Sequence, residues 1–237
     1  MSYVGERIAK VMASRGLCSR REAEKWITQG RVKVNGATLV SPALNVTDAD
    51  TILIDDKPIP KQDLLRLWKF HKPKGYITTH RDPQKRPTLF SLLPKDFPRV
   101  VSIGRLDMDS EGLILLTNSG EIEHKWELPL YGWIRSYRAK VLGSVDQKKL
   151  ESLRDGITID NFHYKSAIAK IESQDEKFAW LNVQLTEGKN REVRRIFDYL
   201  GWPVQQLIRI GFGPFELGNL QSGKFEEIDL SNYKYLL

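Results

Sequence analysis

The chain reads as an α+β protein: a small basic module of helices and strands, then a larger domain on a mainly antiparallel mixed sheet flanked by helices. Helical spacing crowds the first 30 residues. Beyond the stretch DKPIPK at 56–61, short alternating runs are separated mostly by turns. The two prolines of that stretch mark a linker and divide the chain into domains at 1–60 and 61–237.

In the module, Ile8, Ala9, Val11 and Met12 recur at helical spacing and stop at Gly16. Ser19-Arg-Arg-Glu22 is a capping box that opens a second helix, with Ala23, Trp26 and Ile27 as its apolar face and Gly30 at its end. RVKVNG at 31–36 alternates into an Asn-Gly hairpin turn, and 51–55 makes a further short strand. Arg20, Arg21 and Lys25 sit on the first turns of the second helix, while Arg31 and Lys33 alternate on the strand. Positive charge at a helix N-terminus opposes the macrodipole. These side chains therefore read as a strip for phosphate contacts or, equally, as a solvated face.

In the larger domain, residues 67–70 and 76–79 read as strands flanking the turn KPKG, and 100–106 and 112–117 as apolar strands. Strand alternation returns at 134–142, 164–171, 178–186 and 206–212, with a capped helix at 146–154 and another at 192–200.

Composition narrows the function. Against 30 acidic residues the chain has 37 basic ones, and the net +7 favours a polyanion such as nucleic acid or an anionic membrane surface. Cys18 is the only cysteine, which excludes an intrachain disulfide and a thiolate zinc cluster. MSYVGERIAKVMASRG lacks the apolar core of a signal peptide, and the longest apolar run, 112–116, is too short to span a bilayer. A soluble cytoplasmic protein is expected, a monomer by default.

GRLDMDSEGLILLTNSG at 104–120 is the stretch with chemical content. Asp107, Asp109, Glu111 and Gly112 imitate the opening of a calcium loop, but the twelfth position is Asn118, where a bidentate carboxylate belongs. The four histidines, at 71, 80, 124 and 163, show no ligand spacing, so no metal site is expected. The stretch is then a plain turn between strands, or a mount for one reactive carboxylate. The second reading needs a cation, a platform for a substrate ring and a group for proton transfer. EGKNREVRRI at 187–196 and RSYR at 135–138 offer these, although Tyr137 and the arginines also suit core packing and a solvated helix face.

GRLD followed by SEGLILLTN resembles the active-site signature of the pseudouridine synthases, in the ribosomal branch that joins small-subunit type A with large-subunit types B, E and F. PRVVSIGRLDMDSEGLILLTNSGE and LYGWIRSYRAK are most similar to type B of the large-subunit enzymes, with Ser110 and Lys125-Trp126-Glu127-Leu128 as local departures. Residues 6–56, with GLCSRREAEKWITQGRVKVNG, resemble an S4 RNA-binding domain. Together the resemblances run from Glu6 past Phe215.

They imply isomerisation of a uridine in ribosomal RNA, most simply large-subunit (23S) RNA, free or in a ribosomal particle under assembly, with no cofactor. The absence of any dinucleotide or P-loop glycine motif agrees with that. Asp107 becomes the nucleophile, Tyr137 the strand tyrosine, and Val193 with Arg194 the aliphatic–basic pair beside it. Arg105 is expected to fill the space of the extruded base, with Lys189, Arg191 and Arg195 on phosphates. The alternatives are a small-subunit (16S) enzyme, a non-catalytic ribosomal-RNA-binding or assembly factor, and a metal-dependent nuclease built on Asp107, Asp109 and Glu111.

Overall fold

The structure, a computed structural model, describes residues 5–236. Contacts between backbone positions divide it into two units. The first runs to Arg66 and takes in Pro98–Val101 and Asn118–Gly120; the second holds the rest.

In the first unit, α1 (Ile8–Ser14) and α2 (Arg20–Thr28) lie beside a four-stranded sheet. Its strands are β1 (Val32–Val34), β2 (Ala37–Leu39), β3 (Ile52–Ile54) and β4 (Lys57–Pro58), in the order β2-β1-β3-β4. The capping box forms as the sequence predicts. Ser19 Oγ accepts from the Glu22 N–H at 3.2 Å, and the Glu22 carboxylate accepts from the Ser19 N–H at 3.0 Å. Such a cap is worth about 1 kcal/mol. Ile8, Met12, Ala23, Ile27 and Val32 are fully buried in one core. Cys18 belongs to that core, and burial pushes its thiol up to about 11, so it is a packing residue.

The basic strip is only partly free. Arg31 pairs with Asp55 and lies over the Trp26 ring, and Lys33 pairs with Asp56, so these two are largely neutralised where they stand. Arg20, Arg21 and Lys25 are exposed on α2.

The second unit carries β5 (Leu67–Lys72), β6 (Glu111–Thr117), α3 (Gly120–Glu127), β7 (Arg135–Leu142) and α4 (Gln147–Ser152). It continues with β8 (Ala167–Gln174), β9 (Phe178–Leu185), α5 (Glu192–Tyr199), β10 (Val204–Phe212) and β11 (Phe225–Glu227). The sheet runs β8-β9-β7-β10-β6-β5-β11, with two short strands off this path. Its neighbours are antiparallel except β10 and β6, which run parallel. One face of β8, β9, β7 and β10 packs under α4 and α5 through Ala139, Val141, Leu181, Val183, Leu150, Ile196 and Phe197.

Two strand assignments change. Residues 76–79 form no strand; a single bridge joins Ile77 to Thr88. The polar groups there bond to loops instead: Gly75 N–H donates to the Met108 carbonyl at 2.7 Å, and the Thr78 hydroxyl to that of Leu106 at 2.9 Å. The run at 164–171 is also broken, into a hairpin strand Phe162–Tyr164 and β8, because Tyr164 pairs back with Ile157.

The parallel seam has two residue pairs, Ile208 with Glu111 and Arg209 with Gly112. Gly112 adopts φ +106°, and a Cβ there would stand 2.3 Å from the Arg209 carbonyl oxygen. Only glycine combines that backbone with that approach. Gly112→Ala is expected to destabilise the protein by ~3 kcal/mol or more, the range of severe overpacking with backbone strain. Thermal unfolding of the variant checks this; a melting temperature near the parent's would contradict it.

Candidate active site

A cleft of about 1000 Å³ opens in the second unit over the ends of β6, β7 and β10, the turn before β6 and the N-terminus of α5. Asp107 sits on the turn after Leu106, its side chain about one-third exposed. Thr78 holds the strand end before it, accepting from the Leu106 N–H at 3.2 Å while donating to its carbonyl. Tyr137, Val193, Arg105, Arg191 and Lys189 line the same cleft. Asp107, Tyr137 and Val193 therefore converge as the sequence suggested.

The ion pairing differs from the expectation. Arg194 does not pair with Asp107; its Nε lies 3.3 Å from Asp109, and its Nη atoms donate to the carbonyls of Asp109 and Val204 at 2.9 Å. Arg191 is the arginine at Asp107, 3.5 Å away, and it also grips both oxygens of Asp109 at 3.0 Å. The reason is helical geometry: Arg194 lies one turn into α5 and is buried, whereas Arg191 stands at the helix start in a left-handed conformation, φ 51°, that turns it toward the cleft. Burial works against the charge on Asp109, but the Arg191 hydrogen bonds and the Arg194 charge outweigh it and hold the carboxyl below its usual range. A cation in a calcium-like loop would compete with two guanidinium groups for that carboxylate.

Arg195 points away from the cleft, toward the Tyr164 hydroxyl at 3.4 Å. Lys189 is also committed locally, to the His163 carbonyl at 2.5 Å and Glu187 at 3.1 Å.

Three groups that sequence reasoning missed support the site, Lys72 from beneath the turn and Arg209 and Glu192 in the wall of the cleft. Lys72 is wholly buried, and its ammonium donates to the carbonyls of Asp107 at 2.9 Å, Ser110 at 2.7 Å and Pro73 at 3.1 Å. Burial pushes its pKa down to about 8, opposed by Asp107, Asp109 and Glu111. Lys72 thus clamps both ends of the turn that carries Asp107. The Lys-Pro pair at 72–73 was its signal, read only as a turn. Arg209, opposite Tyr137 on the neighbouring strand, is fully buried and donates to the Leu113 carbonyl at 2.6 Å. Its burial opposes the charge, which the facing Tyr137 oxygen supports.

The third is Glu192. Its carboxylate accepts from the Lys189 N–H at 2.9 Å and faces Glu187, which accepts from the Lys165 N–H at 2.8 Å. Burial, with Glu187 beside it, raises Glu192 to about 7. Glu187 goes the other way: burial opposes its charge, but the Lys165 N–H and Lys189 hold it down. The two carboxyls are pushed apart in their titration, Glu192 up and Glu187 down, and the pair closes the loop that presents Arg191.

Among the described residues, no group of three or more His, Cys, Asp or Glu side chains is placed to hold a metal ion. No helix among them is long and apolar enough to cross a membrane.

A carboxylate beside an arginine, with a tyrosine and an aliphatic side chain lining the same cleft, is an arrangement that suits the class of enzyme working on a ring by covalent or proton-transfer chemistry. Comparison with known proteins gives the class its family. Residues 66–199 match the RNA pseudouridylate synthase family, and residues 6–52 match the S4 domain. The chain belongs to the RNA pseudouridylate synthase family. It is 45% identical over 224 residues to an uncharacterized RNA pseudouridine synthase of Rickettsia felis, covering 94% of this chain and 97% of the relative. It is 38% identical over 242 residues to ribosomal large subunit pseudouridine synthase B of Salmonella typhimurium, covering 98% and 82%. A crystal structure of a pseudouridylate synthase superposes with TM-score 0.68 at 26% identity, over 98% of this chain and all of that one.

Glu192 gives a pH test. A carboxyl raised from its ordinary value to about 7 stabilises the fold below its unfolded pKa and loses that contribution as pH rises through 7. Glu192→Gln keeps a donor toward Glu187 without the charge. It is expected to raise the melting temperature at pH 8 relative to the parent, by an amount equivalent to ~1–2 kcal/mol, and to leave it nearly unchanged at pH 5. Equal pH profiles for the two proteins would rule out a raised Glu192 carboxyl.

Proposed function

We propose that this protein converts a specific uridine of large-subunit ribosomal RNA to pseudouridine, with Asp107 as the nucleophile. The observation that carries the reading is the convergence of Asp107, Tyr137 and Val193 in one cleft whose turn is clamped by Lys72 and Arg191. The similarity to ribosomal large subunit pseudouridine synthase B supports the choice of RNA.

The reaction breaks the N1–C1′ bond, turns the uracil, forms C5–C1′, and moves a proton from C5 to N1. It is redox-neutral and needs a nucleophile, a proton path and a wall that keeps the detached base in place. Asp107 is the nucleophile, and Arg191 holds its side chain toward the cleft. Val193, 3% exposed, presses on one face of the uracil, and Tyr137 stacks on the ring or carries the C5 proton. Arg194 acts on Asp107 indirectly, by fixing Asp109 and the turn. A stacked uridine hides its glycosidic carbon, so the base is extruded at a cost of a few kcal/mol. Arg105, exposed at the rim, fills the gap left in the RNA stack. Arg20, Arg21 and Lys25 supply phosphate contacts that offset the extrusion. The protein acts as a monomer in the cytoplasm.

Asp107→Asn is expected to abolish pseudouridine formation in ribosomal RNA, read by carbodiimide modification and reverse transcription, while RNA affinity stays within a few-fold. Normal turnover by the variant would remove Asp107 from the chemistry. Replacing Arg20, Arg21 and Lys25 together by glutamine is expected to make the salt dependence of RNA affinity shallower, by roughly 0.7–0.9 in log–log slope for each phosphate no longer neutralised. An unchanged slope would take α2 out of the RNA interface.

A further inference from the structure

The segment between α3 and β7 carries an exposed apolar tip at the mouth of the cleft. Leu130 is 88% exposed, Tyr131 45% and Ile134 47%. The residues that bracket the segment, Glu127 and Arg135, both line the cleft. The tip stands on a firm base. Trp133 packs against Trp126 and Phe212, with ring centroids 5.4 Å and 6.0 Å apart, and lies so close over Gly213 that a Cβ there would meet its ring at 2.0 Å. The Gly213 N–H donates to the Ile134 carbonyl at 2.8 Å, and Arg135 donates to that of Trp133 at 2.9 Å.

An anchored loop that buries one aromatic residue and leaves three large apolar neighbours in water is built for a partner. The surroundings say which kind. Lys125 lies 5.9 Å over the Tyr131 ring, and Lys74, Arg81, Arg105 and Arg135 make the adjoining cleft rich in positive charge. The occupant must bring flat apolar faces and negative charge together, as unpaired nucleotides do.

We propose that Leu130, Tyr131 and Ile134 form a stacking platform for an unpaired nucleobase of the RNA, next to the uridine held in the cleft. This rests on the reading of the protein as an RNA uridine isomerase. Extruding the uridine opens the RNA around it; Arg105 fills the vacated space in the stack, and the platform takes the face of an unpaired base beyond it from the protein side. It binds bases by their faces, so it contributes to affinity and placement with little preference among bases.

The test uses the full chain and transcribed large-subunit ribosomal RNA. The double variant Leu130→Ser, Tyr131→Ser is expected to lose roughly ten-fold in kcat/KM through KM, the effect of about one base–aromatic stack. Its melting temperature should match the parent's. Ultraviolet irradiation of the unaltered protein with the RNA should link the peptide containing Tyr131 to a nucleobase. That crosslink decides the matter if the double variant does not fold. An active parent, an equally active double variant and no crosslink at this peptide together overturn the platform. So does a double variant that keeps RNA turnover but no longer sediments with ribosomal particles, which would give the tip to a protein partner. A parent that binds and crosslinks RNA at Tyr131 without making pseudouridine would sink the isomerase reading while leaving the platform standing.

Discussion

The second unit depends on the close approach of two backbones at Gly112 and Arg209. Two residue pairs join β6 to β10, and through them the half of the sheet holding β8, β9, β7 and β10 meets the half holding β6, β5 and β11. The approach brings the turn with Asp107 beside the strands with Tyr137 and Arg209. Any side chain at 112 would push the halves apart where the cleft forms. The Arg209 guanidinium, bonded to the Leu113 carbonyl, bolts the same seam from inside. One glycine and one buried arginine thus set the distance between the proposed nucleophile and the ring platform.

Around that seam, charge does the local positioning. Asp109 is held by Arg191 and Arg194, while Lys72 ties the carbonyls of Asp107 and Ser110 from below. Such charges bring little net stability, because solvent screens the half-exposed pair of Arg191 and Asp109 and desolvation offsets much of the attraction at the buried Lys72 and Arg194. Their effect is on geometry: the bonds from Lys72, Arg191 and Arg194 leave the turn few alternative arrangements, so it is preorganised before any RNA arrives. Asp107, by contrast, has one long contact to Arg191 and keeps a third of its side chain open to the cleft. The Asp109 side chain is just as open, so pairing is what separates the two: the carboxylate gripped by both arginines is the structural one, and the one with a single long contact is the candidate for chemistry.

Much of the architecture was legible from local signals. The capping box at Ser19 and Glu22, the Asn-Gly hairpin and the helix from Glu192 formed because side-chain hydrogen bonds and apolar spacing act over a few residues. The strand expected at 76–79 failed because its polar groups found partners in loops distant in sequence, which no periodicity reveals. The pairing of Arg194 was misjudged for a related reason. Adjacent arginines at a helix start point in different directions, and which one reaches Asp107 depends on the left-handed turn at Arg191.

The sequence by itself determined the α+β class and the basic helix–strand module, whose signals act over a few residues; Asp107, Tyr137 and Val193 were joined as a set only by the resemblance to a family, and the fold brings them to one cleft. The tertiary structure decided which cation faces which carboxylate, that Lys72 is buried beneath the turn with Asp107 while Arg209 lines the cleft, and that Glu192 lies beside Glu187. Those are contacts across 35 to 96 positions in the case of Lys72 and Arg209, and burial sets their strength. Charge alone is written in the sequence; the desolvation that turns it into a fixed position appears only when the chain has folded.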